Sequence, residues 1–326
     1  MNDYFPLPEL DLRKEKKQVA SPLLAICFIF LCSLAVQILL IVAVQAFAPT
    51  LMQQGWFAVV VSSAPMYAVA MPISLLFYNF SKAEPPQHRK KLGFLTFLGL
   101  IALCFTLSYV GNIFSTIVNA AIGAITGEPP VNDMQEMTTN TPLWANLLFV
   151  GILAPIMEEI FFRKLVIDRL LRYGELPAIL ISGIAFGLIH GNFFQFFYAA
   201  MMGLVFGYIY IYTGRLRYTI ALHMIVNIVG GVFISEIIKR VDLDALLAGN
   251  LEIGADNILP ILLFALYILF ITACLHGAIV ATIFFVKKIR FGKPTIPVDR
   301  KSLARIVFLN PGTWAFLAVV LLLFLV

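Results

Sequence analysis

Long apolar runs separated by short polar segments make up most of the chain. These runs cover about residues 23–48, 56–80, 92–125, 143–168, 176–191, 194–213, 217–238, 258–286 and 306–326. An apolar run of about 18 residues or more is long enough to cross a bilayer as a helix. The pattern therefore predicts an all-α fold, a polytopic bundle of about eight or nine transmembrane helices, with nine as the best fit.

Composition agrees with a membrane location for the whole chain. Of 326 residues, 61% are hydrophobic and 13% are charged, whereas a soluble domain has about 25% charged residues. We expect a polar N-terminal tail over residues 1–20 and a single membrane domain over residues 21–326. The net charge of +5 does not indicate a nucleic-acid partner, because the basic residues lie in short segments between apolar runs.

The position of these basic residues predicts an orientation. Lysines and arginines cluster before the first run, at 82–91, at 169–172, at 215–217 and at 287–305. Acidic residues prevail at 128–136 and 239–256. Because basic loops stay on the cytoplasmic side, we predict an integral protein of the plasma membrane with a cytoplasmic N-terminus.

The fourth run contains charges that are costly inside a bilayer. A charged side chain at the membrane centre costs about 3 kcal/mol on insertion scales, yet this run carries Glu158, Glu159 and Arg163. Glu159 and Arg163 have the i,i+4 spacing of an intrahelical ion pair. Glu158 points about 100° away and is left as a candidate general base. Alternatively, the three charges mark the cytoplasmic end of the span.

Two histidines fall among other polar residues of later spans. His190 ends the segment 186–190, and Phe186, one helical turn earlier, is a candidate wall of a pocket. His223 and Asn227 are i,i+4 neighbours that project from one helix face. Either histidine could instead serve a structural hydrogen bond between helices. Asn227 favours a hydrogen-bonding role, because asparagine is a good oxyanion donor and a poor zinc ligand.

Depth is an obstacle to bringing these residues together. In straight helices, His190 would lie about 20 Å from the cytoplasmic end near Arg172. His223 would lie only about 9 Å from the turn at Arg217. Convergence therefore requires either that the fourth helix extends past the membrane or that the helices are tilted and offset.

The three motifs resemble those of the CPBP family, the CAAX-processing and bacteriocin-processing intramembrane proteases, also called the Abi or type II CAAX endopeptidase family. They occur in order as Glu158-Glu159-Ile-Phe-Phe-Arg163, Phe186-Gly-Leu-Ile-His190 and His223-Met-Ile-Val-Asn227, within about residues 143–238. The resemblance implies that Glu158 and His190 activate water and that His223 and Asn227 stabilise the oxyanion. It also leaves a zinc-dependent alternative, with Zn²⁺ bound by Glu158, His190 and His223.

We therefore predict an intramembrane endopeptidase that acts on a peptide or protein in or at the lipid bilayer, with no nucleic-acid partner. No cofactor is predicted apart from the zinc of the alternative mechanism. One alternative is a non-catalytic membrane protein that binds a peptide and confers protection, as in bacteriocin immunity. A proton-coupled transporter is less favoured, since no paired broken helices occur in two halves of the chain.

Overall fold

The computed structural model describes residues 10–87, 89–251, 254, 257–285 and 289–325. Its helices are α1 (Leu12–Phe47), α2 (Phe57–Tyr78), α3 (Phe94–Thr126), α4 (Asp133–Asn140), α5 (Leu143–Tyr173), α6 (Glu175–Leu188), α7 (Phe193–Thr213), α8 (Leu216–Ile238), α9 (Leu243–Leu247), α10 (Ile258–Phe285), α11 (Arg300–Phe308) and α12 (Pro311–Leu325). The second half of the predicted tail is thus part of α1.

The prediction of an all-α polytopic bundle is confirmed. Seven helices of the described residues are long and apolar enough to span a membrane, and the pair α11–α12, bent by 54°, would make an eighth. The predicted fifth span is α6, which has only 14 residues. Such a helix is about 21 Å long, too short for a hydrocarbon core of about 30 Å, so the count falls below nine.

Helices α5, α6, α7 and α8 form the centre of the bundle. Helix α6 packs along α7 and against α5, and α8 crosses α5. Helices α3 and α10 lie together on the α7 side, while α2 and α12 pack on α1. The residues of all three sequence motifs are therefore on neighbouring helices.

Helix α5 is irregular around the acidic motif. Regular α-helix occurs at Ala154–Glu159, between π-helical segments at Asn146–Leu153 and Ile160–Ile167. Pro155 lacks an N–H and so cannot donate the usual helical hydrogen bond. Wider π turns are common at functional sites because they redirect side chains. The two glutamates lie in the short regular segment between these wider turns.

Helices α6 and α7 form a tight antiparallel hairpin. A Cβ atom on Gly187 would lie 2.8 Å from the Phe196 carbonyl oxygen, and one on Gly183 would lie 2.8 Å from the Leu204 nitrogen. Only glycine permits so close an approach. The connection turns at Gly191, which has a φ of 68° that favours glycine. This hairpin places His190 at its turn, at the end of the short helix.

The basic segments meet at one end of the bundle, where α5 ends. The Gln18 side chain donates to the carbonyls of Lys82 and Arg169, at 2.6 and 3.1 Å. The Arg172 guanidinium lies 3.3 Å from the Glu15 carboxylate. Between this end and the acidic motif, α5 is tightly packed by large side chains that are almost fully buried: Phe161, Phe162, Val166, Ile167, Leu170 and Tyr173.

Candidate active site

Glu159 and Arg163 form the predicted ion pair. The guanidinium binds the carboxylate through two hydrogen bonds, Nε to Oε2 at 3.0 Å and Nη2 to Oε1 at 3.1 Å. Both side chains are completely buried. A third contact joins Arg163 Nη1 to the Ser182 hydroxyl of α6 at 3.3 Å. The pair therefore fixes α5 to α6 directly below the candidate site.

His223 lies between the two glutamates. Its Nδ1 is 3.1 Å from Glu159 Oε1 and its Nε2 is 3.8 Å from Glu158 Oε2. Because an ionised carboxylate only accepts hydrogen bonds, Nδ1 carries a proton and donates to Glu159. The two adjacent acids do point to different places on α5, as predicted, but the imidazole ring reaches both. Glu159 thus orients His223 in addition to pairing with Arg163.

Glu158 differs from its neighbour in being accessible. Its side chain is 15% exposed, against 0% for Glu159, and it lines a cavity within the bundle. The Tyr67 hydroxyl of α2 donates to Glu158 Oε1 at 3.4 Å. The carboxylate is therefore held by weak contacts and can reach a molecule in the cavity.

His190 is oriented by its own helix. Its Nδ1 lies 2.8 Å from the carbonyl oxygen of Phe186. A carbonyl accepts only, so Nδ1 carries the proton and a neutral His190 has Nε2 as its acceptor. The Phe186 ring is edge-on to both imidazoles, with centroid distances of 5.2 Å to His190 and 5.7 Å to His223. Phe186 thus separates the two histidines and supports each of them.

Asn227 follows His223 by one turn and contacts α5. Its Nδ2 donates to the Val150 carbonyl at 3.0 Å, within the π-helical segment of α5. The amide keeps a second N–H and its oxygen for other partners. This bond fixes α8 to the part of α5 that precedes the acidic motif.

A cavity of about 800 Å³ joins these residues. Glu158, Phe186, His190, His223 and Asn227 all line its wall, whereas the buried pair Glu159 and Arg163 lies behind it. Apolar side chains make up most of the remaining lining. A mostly apolar cavity with a few convergent polar groups is the usual form of a ligand site.

Three ligands for zinc are not assembled here. Within the described part of the chain, no group of three or more His, Cys, Asp or Glu side chains is placed to hold a metal ion. The set considered in the zinc alternative, Glu158, His190 and His223, is therefore not a ligand cluster in this arrangement. A catalytic zinc site uses three protein ligands at about 2.0–2.2 Å, so the residues present do not fit one.

Two further residues of this site have no signal in the sequence. Tyr67 lies 91 positions before Glu158, in a span without a recognisable motif. Ser182 contacts Arg163 and donates to the Phe162 carbonyl at 3.0 Å. Serine and tyrosine are common in membrane helices, and only their three-dimensional contacts distinguish these two.

The fold and the site define a polytopic membrane protein with a carboxylate–imidazole site in the middle of its spans. Residues 140–229 match the Rce1-like family of type II CAAX prenyl endopeptidases. This match confirms the resemblance of the central segment to the CPBP family, and it ends shortly after Asn227.

Two curated relatives each match part of the chain. YdiL of Bacillus subtilis (strain 168), whose name describes it as a candidate membrane peptidase, is 32% identical over 82 residues, or 25% of this chain and 34% of its own. The membrane-embedded CAAX protease MroQ of Staphylococcus aureus (strain USA300) is 28% identical over 126 residues, or 35% of this chain and 50% of its own. The chain thus spans a third to a half of these relatives. No solved structure matches it.

Proposed function

We propose that this integral membrane protein is an intramembrane endopeptidase. One observation carries the proposal: Glu158 lies in the middle of a membrane-spanning helix, faces the cavity and has His223 Nε2 at 3.8 Å. A carboxylate at this depth is costly and marks a functional site. The adjacent Glu159 is already bound by Arg163 and His223, so Glu158 is the acid that remains for chemistry.

Hydrolysis begins with a water molecule between Glu158 and His190. Glu158 takes one proton as general base, while His190 Nε2 accepts a hydrogen bond from the same water. The bond from His190 Nδ1 to the Phe186 carbonyl supports this tautomer. The resulting hydroxide attacks the carbonyl carbon of the scissile peptide bond.

The tetrahedral intermediate then places a negative charge on the former carbonyl oxygen. The proposed donors are the free N–H of Asn227 and His223 Nε2 in its protonated form. Glu159 orients this ring, because its carboxylate accepts a hydrogen bond from Nδ1 of the same imidazole. Glu158 finally returns its proton to the leaving amine, so the free enzyme is restored.

The proposed substrate is a peptide or protein segment in or at the bilayer. The cavity volume of about 800 Å³ is in the range of pockets that enclose several side chains. MroQ carries the name of a CAAX protease, but that name alone does not assign a prenylated substrate to this chain. We therefore propose hydrolysis of a peptide bond in the plasma membrane, with no prenyl requirement assigned.

The test is a substrate trap. Glu158→Gln keeps the shape of the side chain and removes the base, so the variant should retain uncleaved peptides that mass spectrometry identifies in purified membranes. Wild type should cleave the same peptides. Glu136→Gln in α4 is the control for loss of one carboxylate. Full cleavage by Glu158→Gln would refute the mechanism, and an unchanged biological effect without any cleavage would favour a peptide-sequestering protein.

A further inference from the structure

Three polar side chains at the start of α7 form a chain of hydrogen bonds that ends at the cavity. They are Asn192, Gln195 and Tyr198, and residues three apart are neighbours on a helix surface. Asn192 is the N-cap of α7, while Gln195 and Tyr198 line the cavity together with His190. The proposed mechanism uses none of these three side chains.

The two amides of this chain each have one possible orientation. The backbone N–H of Gln195 can only donate, and it lies 2.9 Å from Asn192 Oδ1. The Asn192 amide nitrogen therefore faces the other way, towards the His190 carbonyl at 2.7 Å and Gln195 Oε1 at 3.1 Å. Because that nitrogen only donates, the Gln195 amide has its oxygen towards Asn192 and its nitrogen towards Tyr198.

This order determines how the Tyr198 hydroxyl can act. Gln195 Nε2 donates to the Tyr198 oxygen at 3.1 Å. A phenol hydroxyl can accept one hydrogen bond and donate another, and Tyr198 is the donor in no hydrogen bond between described residues. Because Tyr198 lines the cavity, its O–H is available to a molecule that binds there.

Close packing against α3 holds this part of α7 in place. A Cβ atom on Gly111 would lie 2.5 Å from the Tyr198 nitrogen, so glycine is needed for the two helices to approach this closely. One turn earlier on α3, Ser108 lines the same cavity, and its buried hydroxyl has no hydrogen-bond partner among the described residues. A buried polar group without a partner is costly. This wall of the cavity is therefore suited to a polar ligand.

A peptide backbone has the groups that this wall can bind. The Tyr198 hydroxyl needs an acceptor, and every peptide bond presents a carbonyl oxygen. Tyr198 also lies close enough to Glu158 for the two side chains to interact electrostatically. An anionic acceptor would be repelled by the Glu158 carboxylate, whereas a neutral carbonyl oxygen would not. The observations thus favour a peptide carbonyl near the reacting bond.

We propose that Tyr198 is a substrate-binding residue, whose hydroxyl donates to a carbonyl oxygen of the substrate backbone beside the scissile bond. Asn192 and Gln195 are positioning residues, because they set the direction of that hydroxyl. The inference rests on the proposed peptidase function and adds a contact that aligns the peptide with Glu158. Since this bond is the same in the bound substrate and in the transition state, its loss raises KM and leaves kcat nearly unchanged.

The first experiment measures binding without hydrolysis. The probe is a fluorescent synthetic copy of a peptide recovered with Glu158→Gln, and its affinity for that variant is measured in detergent. Addition of Tyr198→Phe should weaken binding about 2- to 10-fold, as expected for the loss of one neutral hydrogen bond. Tyr212→Phe is the matched control, since Tyr212 lies about 21 Å along the same helix and does not line the cavity.

A second measurement separates a direct contact from a structural role. Sulfur is a weaker hydrogen-bond acceptor than oxygen, so peptides with a single thioamide test each carbonyl in turn. At one position, the thioamide and Tyr198→Phe together should weaken binding no more than either does alone, because they remove the same bond. A structural role would give losses that add at every position.

Gln195→Glu tests the positioning role. Its carboxylate would accept the Tyr198 proton and turn it away from the ligand, so binding should weaken as much as in Tyr198→Phe. Combining the two changes should give no further loss. If Tyr198→Phe did not fold, the thioamide scan of Gln195→Glu would test the same bond.

Unchanged affinity after Tyr198→Phe would overturn the proposal, as would additive losses at every thioamide position. A fall in kcat with KM unchanged would place the hydroxyl on the oxyanion and overturn the assignment to binding. A peptide that depends on Tyr198 for binding, but that the wild type does not cleave, would refute the proposed hydrolysis and leave this inference standing. If Glu158→Gln retained no peptide, both proposals would fail.

Discussion

The two halves of α5 differ in their surroundings and in their roles. Towards α4, the helix borders an open cavity and carries Glu158 on its wall. Towards the basic end, its inward face is buried and carries Glu159 and Arg163 in a closed, bidentate pair. Two consecutive glutamates therefore belong to different regions: one is placed for chemistry and the other for structure.

The comparison shows how a membrane protein can keep a reactive carboxylate in place. A charge that is fully buried must be paired and hydrogen-bonded, and Glu159 meets that condition with Arg163 and His223. Glu158 has only the long contacts to Tyr67 and His223, at 3.4 and 3.8 Å, and its side chain is partly exposed in the cavity. Substitution at Glu158 should therefore mainly reduce function, whereas disruption of the pair made by the adjacent Glu159 should mainly reduce stability.

The largest effect should come from Glu158→Gln. Removal of the general base should lower the cleavage rate by on the order of 1,000-fold while leaving the unfolding of the purified protein unchanged. Cleavage of a trapped peptide and thermal unfolding in detergent measure the two quantities. A loss of thermal stability in Glu158→Gln as large as that expected for disruption of the Glu159–Arg163 pair would contradict this prediction. It would show that Glu158 belongs to the packed half of α5.

Arg163→Met should give the largest loss of stability. Removal of the guanidinium leaves the Glu159 carboxylate buried without its main partner, which typically costs about 3–5 kcal/mol. The measurement is the unfolding midpoint in detergent, with Arg240→Met as the matched control, since Arg240 is 61% exposed beside Glu236.

Adding Glu159→Gln to Arg163→Met should restore part of the stability, because the unpaired charge is then absent. If Arg163→Met unfolded no more easily than Arg240→Met, the buried pair would not have the structural role assigned to it.

Asn227→Ala should lower the cleavage rate by about 100- to 1,000-fold if its amide stabilises the oxyanion. The loss should fall on the maximal rate and leave substrate binding nearly unchanged. Asn119→Ala provides the control, since Asn119 is also a buried amide but bonds within α3 to Ser115. A change confined to substrate affinity would assign Asn227 to helix packing through Val150 alone.

Tyr67→Phe should have a smaller effect, about 2- to 10-fold on the cleavage rate. The change removes one neutral hydroxyl whose hydrogen bond is worth about 0.5–1.5 kcal/mol, and the bond to Glu158 is long at 3.4 Å. Tyr218→Phe, at the basic end, is the matched control. A loss as large as that of Glu158→Gln would make Tyr67 a direct participant in the reaction.

Chelation of metal should have no effect on cleavage. The Glu158, His190 and His223 side chains do not form a three-ligand group, so activity should persist in chelator-washed protein without stoichiometric zinc by elemental analysis. Activity that is lost on washing and restored by zinc would replace the water mechanism with the metal one.

The local sequence was sufficient to predict most of the membrane-spanning helices and part of the candidate site. Apolar runs predicted the spans, and the i,i+4 spacing predicted the Glu159–Arg163 pair, because both depend on contacts within one helix. The contact of His223 with Glu159 joins residues 64 positions apart, and Tyr67 lies even farther from Glu158. Contacts at that range leave no periodic signal in the chain.

The depth of His190 shows a different limit of sequence reasoning. A 16-residue apolar run predicted a full crossing, yet α6 ends at Leu188 and the chain turns back at Gly191. Glu158 and His190 are each 16 residues from Gly174, so antiparallel α5 and α6 bring them to a similar level. The glycines that allow the tight hairpin are visible in the sequence, but the helix they approach is not.

The short α6 also affects the lipid around the protein. Leu176, Leu180 and Ile184 are four residues apart and 40–45% exposed, so they form one outward stripe on a helix about 21 Å long. A bilayer with a core of about 30 Å exceeds the length of α6 by about 9 Å. Thinning of the bilayer costs fractions of a kcal/mol per Å. We therefore expect the membrane to be locally thinner beside α6. A peptide bond held there would be closer to water than its depth in undisturbed lipid implies.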